Sequence, residues 1–246
     1  MSMALGARVD TCFVENNSGA PLSRRAAAEA LGTCLLMVVA AGSGISAAHL
    51  APDNTALRLL LSAFGTSSAL VALIFTFGKV SGGHFNPLIT AIQWACGQRD
   101  LRCTIGYITA QALGAVAGAL LVRFATLDAD IVPVHPLVFS NAIFTGSEVF
   151  ASMALMLVVF GCSRSGLTIA GPVAVGGWLA AAILITPSGS YANPAITFAA
   201  IFTPGAFSLT GNLAIFYLFA QLFGGAITVA IISLIYPASG ECIAPQ

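Results

Sequence analysis

The sequence predicts an all-α membrane protein with six transmembrane helices and two re-entrant half-helices, arranged as an inverted repeat. Three observations carry this prediction. Of the 246 residues, 58% are hydrophobic and only 7% are charged, a balance typical of a chain whose solvent is lipid. Long apolar stretches recur along the chain, and one ten-residue segment occurs twice in similar form. These features exclude an ordinary water-soluble domain.

Six apolar stretches are each close to the ~20 residues that cross a ~30 Å hydrocarbon core. They lie at 26–50, 57–80, 103–126, 143–162, 167–186 and 209–236. Because a chain in lipid must satisfy its backbone hydrogen bonds internally, we expect each stretch to be a helix. Residues 24–236 are therefore predicted to be one membrane domain, between polar tails at 1–23 and 237–246.

The distribution of Lys and Arg predicts the orientation. An even number of spans returns the chain to its starting side, and cations concentrate on cytoplasmic flanks. A cytoplasmic N-terminus places Arg8, Arg24, Arg25, Lys79, Arg99, Arg102 and Arg164 inside, and Arg58 and Arg123 outside. Residues 1–23 lack an apolar run followed by a cleavage site, so we expect a tail and not a signal peptide. The prediction is a multi-pass protein of the inner (plasma) membrane with both termini in the cytoplasm.

The two halves of the chain repeat one another. Residues 81–90 are SGGHFNPLIT and residues 188–197 are SGSYANPAIT, identical at six of ten positions. Each half also has a glutamate in its first span, Glu29 or Glu148, and an Ala-Gln pair ending in Gln111 or Gln221. The halves are approximately 24–126 and 143–236. Three spans in each half invert the second copy relative to the first.

Each decapeptide contains a helix start. Asn is a favoured N-cap and Pro a favoured first helical residue, so helices should begin at Asn86-Pro87 and Asn193-Pro194. About ten mostly apolar residues follow, at 87–96 and 194–203, enough for ~15 Å of helix. Entering from opposite faces, the two helices would meet near the midplane with their positive dipole ends and the asparagine NH₂ groups directed there.

Together, the paired Asn-Pro boxes, the AEALGT segment around Glu29 and the two Ala-Gln-x-x-Gly elements resemble the aquaporin and aquaglyceroporin (major intrinsic protein) superfamily over residues 24–236. The resemblance implies the aquaporin fold and a homotetramer with one pore per protomer. It also implies a passive channel from which the dipoles of the paired half-helices exclude cations and protons. The box SGSYANPAIT resembles a bacterial branch associated with arsenic-resistance genes. The expected solutes are water, glycerol-like polyols, and neutral metalloid hydroxides such as arsenite, including methylated arsenicals.

The resemblance also implies which residues contact the solute. At the midplane these are Asn86, Pro87, Leu88, Asn193, Pro194 and Ala195. A narrow selectivity filter would be formed by Thr66, Ala181, Ser190 and Ile196. Most relatives have an arginine where this chain has Ile196, and the repeat mate Ile89 shows that the box is intact. We therefore expect a wider, less polar filter. Leu88 replaces the alanine of the first box, and the sequence leaves open whether its side chain narrows the pore or packs aside.

Two alternatives remain for the buried carboxylates. Glu29 and Glu148 could couple protons in a secondary transporter, because inverted repeats with broken helices also build transporters. The resemblance favours structural acceptors for backbone N–H groups of the re-entrant loops, with His84 also stabilising its loop. Glycines at helical spacing, namely Gly32, Gly114, Gly118, Gly224 and Gly225, are expected to allow close helix packing.

Other classes of function find no support in the sequence. His84 has no second His, Cys or carboxylate at ligand spacing, so no metal site is predicted. The six cysteines include no CxxC pair and are expected to be reduced. No nucleophile with a neighbouring base and no phosphate-binding loop is present, so we expect neither an enzyme nor a cofactor. The expected partners are the bilayer, small neutral solutes and further copies of the chain, with no nucleic acid.

Overall fold

A computed structural model describes residues 20–127, 140–165 and 169–236, and within these residues all regular structure is helical. The α-helices are α1 (Leu22–Leu50), α2 (Thr55–Ser81), α3 (Pro87–Ala95), α4 (Leu101–Ala125), α5 (Asn141–Arg164), α6 (Ala170–Ile185), α7 (Pro194–Ala199) and α8 (Gly211–Ile235). The predicted tails, apart from residues 20–23, lie outside the described residues, together with Arg8, Cys12 and Cys242. The all-helical fold class is confirmed.

The six predicted spans correspond to six of these helices. Five of them, α1, α2, α4, α5 and α8, are long and apolar enough to cross a membrane, judged by length and composition. The sixth, α6, has only 16 described residues, or about 24 Å of helix. Its predicted start at 167 lies outside the described residues. At the other end of the chain, α1 begins at Leu22, inside the predicted tail.

The two half-helices begin where the Asn-Pro pairs predict. Helix α3 starts at Pro87 and ends at Ala95, one residue before the predicted end. Helix α7 also starts at its proline, but its α-helical part ends at Ala199 and a 3₁₀ turn, Ala200–Phe202, continues it. A 3₁₀ turn rises more steeply per residue than an α-helix, so the short element still covers most of the predicted path.

Within each half, the first and third spans pack against each other. Helix α1 packs on α4, and its repeat mate α5 packs on α8. Glycines lie at both crossings: a Cβ added to Gly118 would lie 2.5 Å from the Cys34 carbonyl oxygen, and one added to Gly224 would lie 2.5 Å from that of Val149. At Gly32 an added Cβ would overlap the Phe85 ring. The glycines therefore allow backbones and rings to approach more closely than any larger residue permits.

Replacing Gly224 by alanine should destabilise the protein, because the new methyl group would meet backbone atoms of α5 that cannot rotate away. Overpacking of this kind costs about 1–3 kcal/mol. Gly177→Ala is the matched control, since nothing lies within 4 Å of a Cβ at Gly177 in the middle of α6. Alanine there should be neutral or slightly stabilising. Thermal unfolding in detergent measures both, and equal melting temperatures for the two variants would contradict the close crossing.

Candidate functional site

The carboxylate of Glu29, in α1, organises the loop that leads into α3. Its Oε1 accepts hydrogen bonds from the Ser81 hydroxyl at 2.6 Å and the His84 backbone N–H at 3.0 Å. Its Oε2 accepts from the Phe85 backbone N–H and from Nε2 of Gln111, both at 2.7 Å. The Glu29 side chain is 0% exposed. Four donors thus surround one buried carboxylate, which compensates the loss of its hydration.

Glu148, in α5, does the same for the loop that leads into α7. Its two oxygens accept from the backbone N–H groups of Tyr191 and Ala192, each at 2.9 Å, and from Nε2 of Gln221, also at 2.9 Å. The same Gln221 nitrogen lies 2.7 Å from Thr197 Oγ1. The repeat identified in the sequence is therefore also a repeat of hydrogen bonds.

Threonines complete both networks. In the first half, Nε2 of Gln111 lies 3.1 Å from Thr90 Oγ1, which also lies 2.9 Å from His84 Nδ1. In the second half the equivalent threonine is Thr197. Neither threonine is among the site residues predicted from the sequence, although both occupy the same position in the two decapeptides, and that repeat is the signal that points to them.

The residue before each asparagine has a strained backbone that both halves hold in place. Phe85 has φ 48° and Ala192 has φ 43°, a left-handed conformation that costs a non-glycine residue free energy. In each case the N–H donates to the glutamate of its own half. The carbonyl oxygen accepts from the asparagine of the other half, at 2.8 Å for Phe85 and 2.9 Å for Ala192.

The two asparagines cap their own half-helices and also join them. Asn86 Oδ1 accepts from the Leu88 N–H at 2.9 Å, and Asn193 Oδ1 accepts from the Ala195 N–H at 3.1 Å. Each Nδ2 donates to the carbonyl that precedes the other asparagine. The NH₂ groups are therefore not wholly free to donate to a solute, because one hydrogen of each is used across the junction. One hydrogen of each amide remains for a solute oxygen.

A cavity of about 210 Å³ runs past this junction. It extends from Gly83 and His84, beyond both asparagines, to Leu59 in the first turns of α2 and to Phe207. One wall is polar and comes from the two loops. The remaining walls are largely apolar and include Leu36, Ala40, Leu70, Ile74, Leu155, Val175, Leu179, Ile183, Ile89 and Ile196. Such a surface offers a few polar groups to a solute against an otherwise inert wall.

Three of the four predicted filter residues line the cavity together: Thr66, Ser190 and Ile196. Ala181 does not, and its assignment to the filter is corrected. Helix α6 lines the cavity with Leu179 and Ile183 instead. Residues two positions apart on a helix point about 200° away from each other, so Ala181 faces away from that wall. Ungapped spacing from the family cannot give the rotation of α6 about its axis, because helix packing decides that rotation.

At the midplane the side chains of the two boxes separate into two groups. Asn86 and Asn193 line the cavity, as do Ile89 and Ile196. Leu88 is 2% exposed and does not line it. A Cβ added to Gly225 in α8 would lie 2.8 Å from Leu88 Cδ1, so Leu88 packs aside against this glycine. Pro87, Pro194 and Ala195 begin the half-helices and also lie outside the lining.

Comparisons with known proteins agree with this architecture. Residues 17–186 match the family model "Major intrinsic protein". The chain is 36% identical over 187 residues to the aquaglyceroporin AqpS of Rhizobium meliloti, covering 74% of this chain and 77% of that protein. It is 29% identical over 241 residues to the probable aquaporin TIP5-1 of Oryza sativa subsp. japonica, covering 90% and 87% of the two chains.

A solved structure has the same fold. The X-ray structure of the aquaglyceroporin from Plasmodium falciparum superimposes with a TM-score of 0.69 at 20% sequence identity, covering 86% of this chain and 96% of that chain. The apolar helices make this chain a multi-pass membrane protein. From the family match, the identity to AqpS and the shared fold, the chain belongs to the major intrinsic protein family, whose relatives support a passive channel for water and small solutes.

Proposed function

We propose that this channel conducts small uncharged solutes larger than water, namely glycerol-like polyols and neutral metalloid hydroxides such as arsenite and its methylated forms, besides water itself. The observation that carries the proposal is the lining around Ile196. The apolar lining of the cavity includes Ile196, Leu179 and Ile183, and its polar lining includes Thr66 and Ser190. An apolar wall with few polar groups favours a neutral solute that has both hydroxyl groups and apolar surface.

Ions are excluded at the junction of the half-helices. Helices α3 and α7 begin there, so the positive ends of both dipoles and the remaining amide hydrogens of Asn86 and Asn193 are directed at the solute. A cation is repelled by these positive ends, whereas a neutral hydroxyl oxygen accepts from the amides. A channel of this kind makes and breaks no covalent bond, so we assign no catalytic residue.

A proton-coupled transporter fits the site less well. A relay needs ionisable groups that reach the solute path and can change partners. Glu29 has four hydrogen-bond donors and Glu148 at least three, and neither residue lines the cavity. Flux that rises linearly with solute concentration and is independent of a proton gradient would support the channel.

We further propose that the protein is a homotetramer of the inner membrane with both termini in the cytoplasm. The charge distribution supports this orientation: because successive spans run in opposite directions, Arg24, Arg99 and Arg164 fall on one side and Arg58 and Arg123 on the other. A single monomer mass in mild detergent would contradict the tetramer.

The substitution Ile196→Arg tests the filter. A guanidinium at this position adds bulk, charge and donors to the apolar wall, so glycerol and arsenous acid should pass about tenfold more slowly, a barrier higher by about 1.4 kcal/mol. Water permeability should change much less, because water is small enough to pass beside the new side chain. Stopped-flow swelling of proteoliposomes with the three solutes measures this.

Ile196→Leu is the matched control, because it keeps the volume and apolar character of the side chain. Its permeabilities should stay close to those of the wild type. If Ile196→Arg left all three permeabilities unchanged, residue 196 would not contact the solute. If the wild type conducted water alone, the proposed solute class would be wrong.

A further inference from the structure

The hydroxyl of Thr66 has a different partner from most helical hydroxyls in this chain. Within a helix, a threonine or serine commonly donates to the carbonyl four residues earlier. Thr33, Ser67, Thr76, Thr145 and Ser233 all do so. Thr66 Oγ1 instead lies 3.3 Å from Ser43 Oγ on the neighbouring helix α1. Among the described residues, this is the hydrogen bond that the Thr66 hydroxyl makes.

Ser43 is itself held in place. Its hydroxyl donates to the Ala40 carbonyl at 3.2 Å, one turn earlier in α1. A Cβ added to Gly65, the residue before Thr66, would lie 3.0 Å from Ser43 Cβ, so α1 and α2 are in close contact at this level. Ser43 does not line the cavity, whereas Ala40, Gly44 and Thr66 do. It therefore lies directly behind the filter.

The direction of these hydrogen bonds gives Thr66 a definite polarity. A hydroxyl has one hydrogen to donate. The Ala40 carbonyl can only accept, so Ser43 donates to it, and the arrangement that satisfies both contacts has Thr66 donating to Ser43. The Thr66 oxygen is then left as an acceptor only. Since the Cβ of threonine carries a hydroxyl and a methyl group, the bond to Ser43 also selects the rotamer and so decides where each group lies.

We propose that Ser43 is a positioning residue for solute selection, acting through Thr66. It holds the Thr66 hydroxyl away from its own helix backbone and so fixes the position of this hydrogen-bond acceptor at the filter for solutes that donate O–H groups. Without Ser43, the Thr66 hydroxyl turns to the Ser62 carbonyl, as the other helical threonines do, and the methyl group changes place with it. The inference rests on the proposed function, because it concerns solutes selected at this filter.

The test is a double-mutant comparison in proteoliposomes. Ser43→Ala should lower the ratio of glycerol to water permeability by about three- to tenfold, the factor that one net hydrogen bond is worth. Thr66→Val, which keeps the shape but removes the hydroxyl, should lower the ratio similarly. Adding Ser43→Ala to Thr66→Val should then have no further effect, because no hydroxyl remains to be positioned. Ser67→Ala, which removes a buried hydroxyl bonded only within α2, is the control and should leave the ratio unchanged.

Two results would overturn the proposal. One is an unchanged permeability ratio in Ser43→Ala. The other is an equal effect of Ser43→Ala in the wild type and in the Thr66→Val variant, which would mean that Ser43 acts through packing alone. A wild-type channel that conducts no glycerol would contradict the proposed function instead. The water permeabilities of the wild type, Ser43→Ala, Thr66→Val and the double variant would then decide the role of Ser43 separately.

Discussion

Replacing Glu148 by leucine should prevent recovery of folded, conducting protein. Three donors lose their acceptor, the backbone N–H groups of Tyr191 and Ala192 and the side-chain amide of Gln221. Each unpaired buried donor costs about 1–3 kcal/mol. The left-handed conformation of Ala192 also loses one of its two restraints. Solute flux should fall to the level of empty liposomes, and size-exclusion chromatography in detergent should show aggregation.

Glu148→Gln is the graded comparison. The amide oxygen still accepts hydrogen bonds, but the NH₂ group faces a donor that it cannot accept from, so partial stability and partial flux are expected. Glu29→Leu and Glu29→Gln should show the same order, because the first half has the equivalent network. Wild-type stability of Glu148→Leu would refute the structural role. A stable Glu→Gln variant that lost a proton-driven flux would support the transporter.

Replacing Asn193 by aspartate should impair both folding and ion exclusion. The Asn193 amide donates to the Phe85 carbonyl at 2.8 Å, and a carboxylate would set two acceptors against each other there. The new negative charge would also offset the positive ends of two half-helices at the midplane. We expect a large loss of thermal stability and of solute flux. Any protein that does fold should have a measurable cation leak in a liposome ion-flux assay.

Asn54→Asp makes the same chemical change at an exposed helix cap. Asn54 caps α2 through its side-chain oxygen, which accepts from the Leu57 N–H at 2.9 Å, and aspartate caps helices equally well. Stability and flux should therefore match the wild type. If Asn193→Asp behaved like Asn54→Asp, the cross-loop hydrogen bonds and the midplane field would not be essential.

The starts of the half-helices could be predicted because their signals are local. An asparagine cap followed by proline acts within three residues, and both helices begin at the predicted proline. The spans were predictable for a related reason, since a membrane-crossing helix is recognised from the length and apolar composition of one continuous segment. The end of α7 was predicted less accurately, because no helix-breaking residue marks the change to a 3₁₀ turn at Ala200.

The identity of the wall residues was predicted only in part. Of the four residues assigned to the filter, Thr66, Ser190 and Ile196 line the cavity, whereas Ala181 does not. Ser190 and Ile196 lie in the second decapeptide, whose position the repeat fixes. Thr66 lies on the face of α2 that lines the cavity. For α6, a rotation of about half a turn exchanges Ala181 for Leu179 and Ile183, and no residue within α6 specifies that rotation.

Sequence alone determined the helices, the inverted repeat, the two Asn-Pro starts and the missing arginine at residue 196, because capping, hydropathy and repetition are encoded in short segments. Tertiary structure decided that Leu88 packs aside against Gly225, that each asparagine donates to the other half, and that the Ser43 and Thr66 hydroxyls are in contact. These contacts join residues far apart in the chain, up to 108 positions for Asn193 and Phe85. Their geometry depends on how each helix is rotated about its axis, and that rotation is set by the packing of all the helices together.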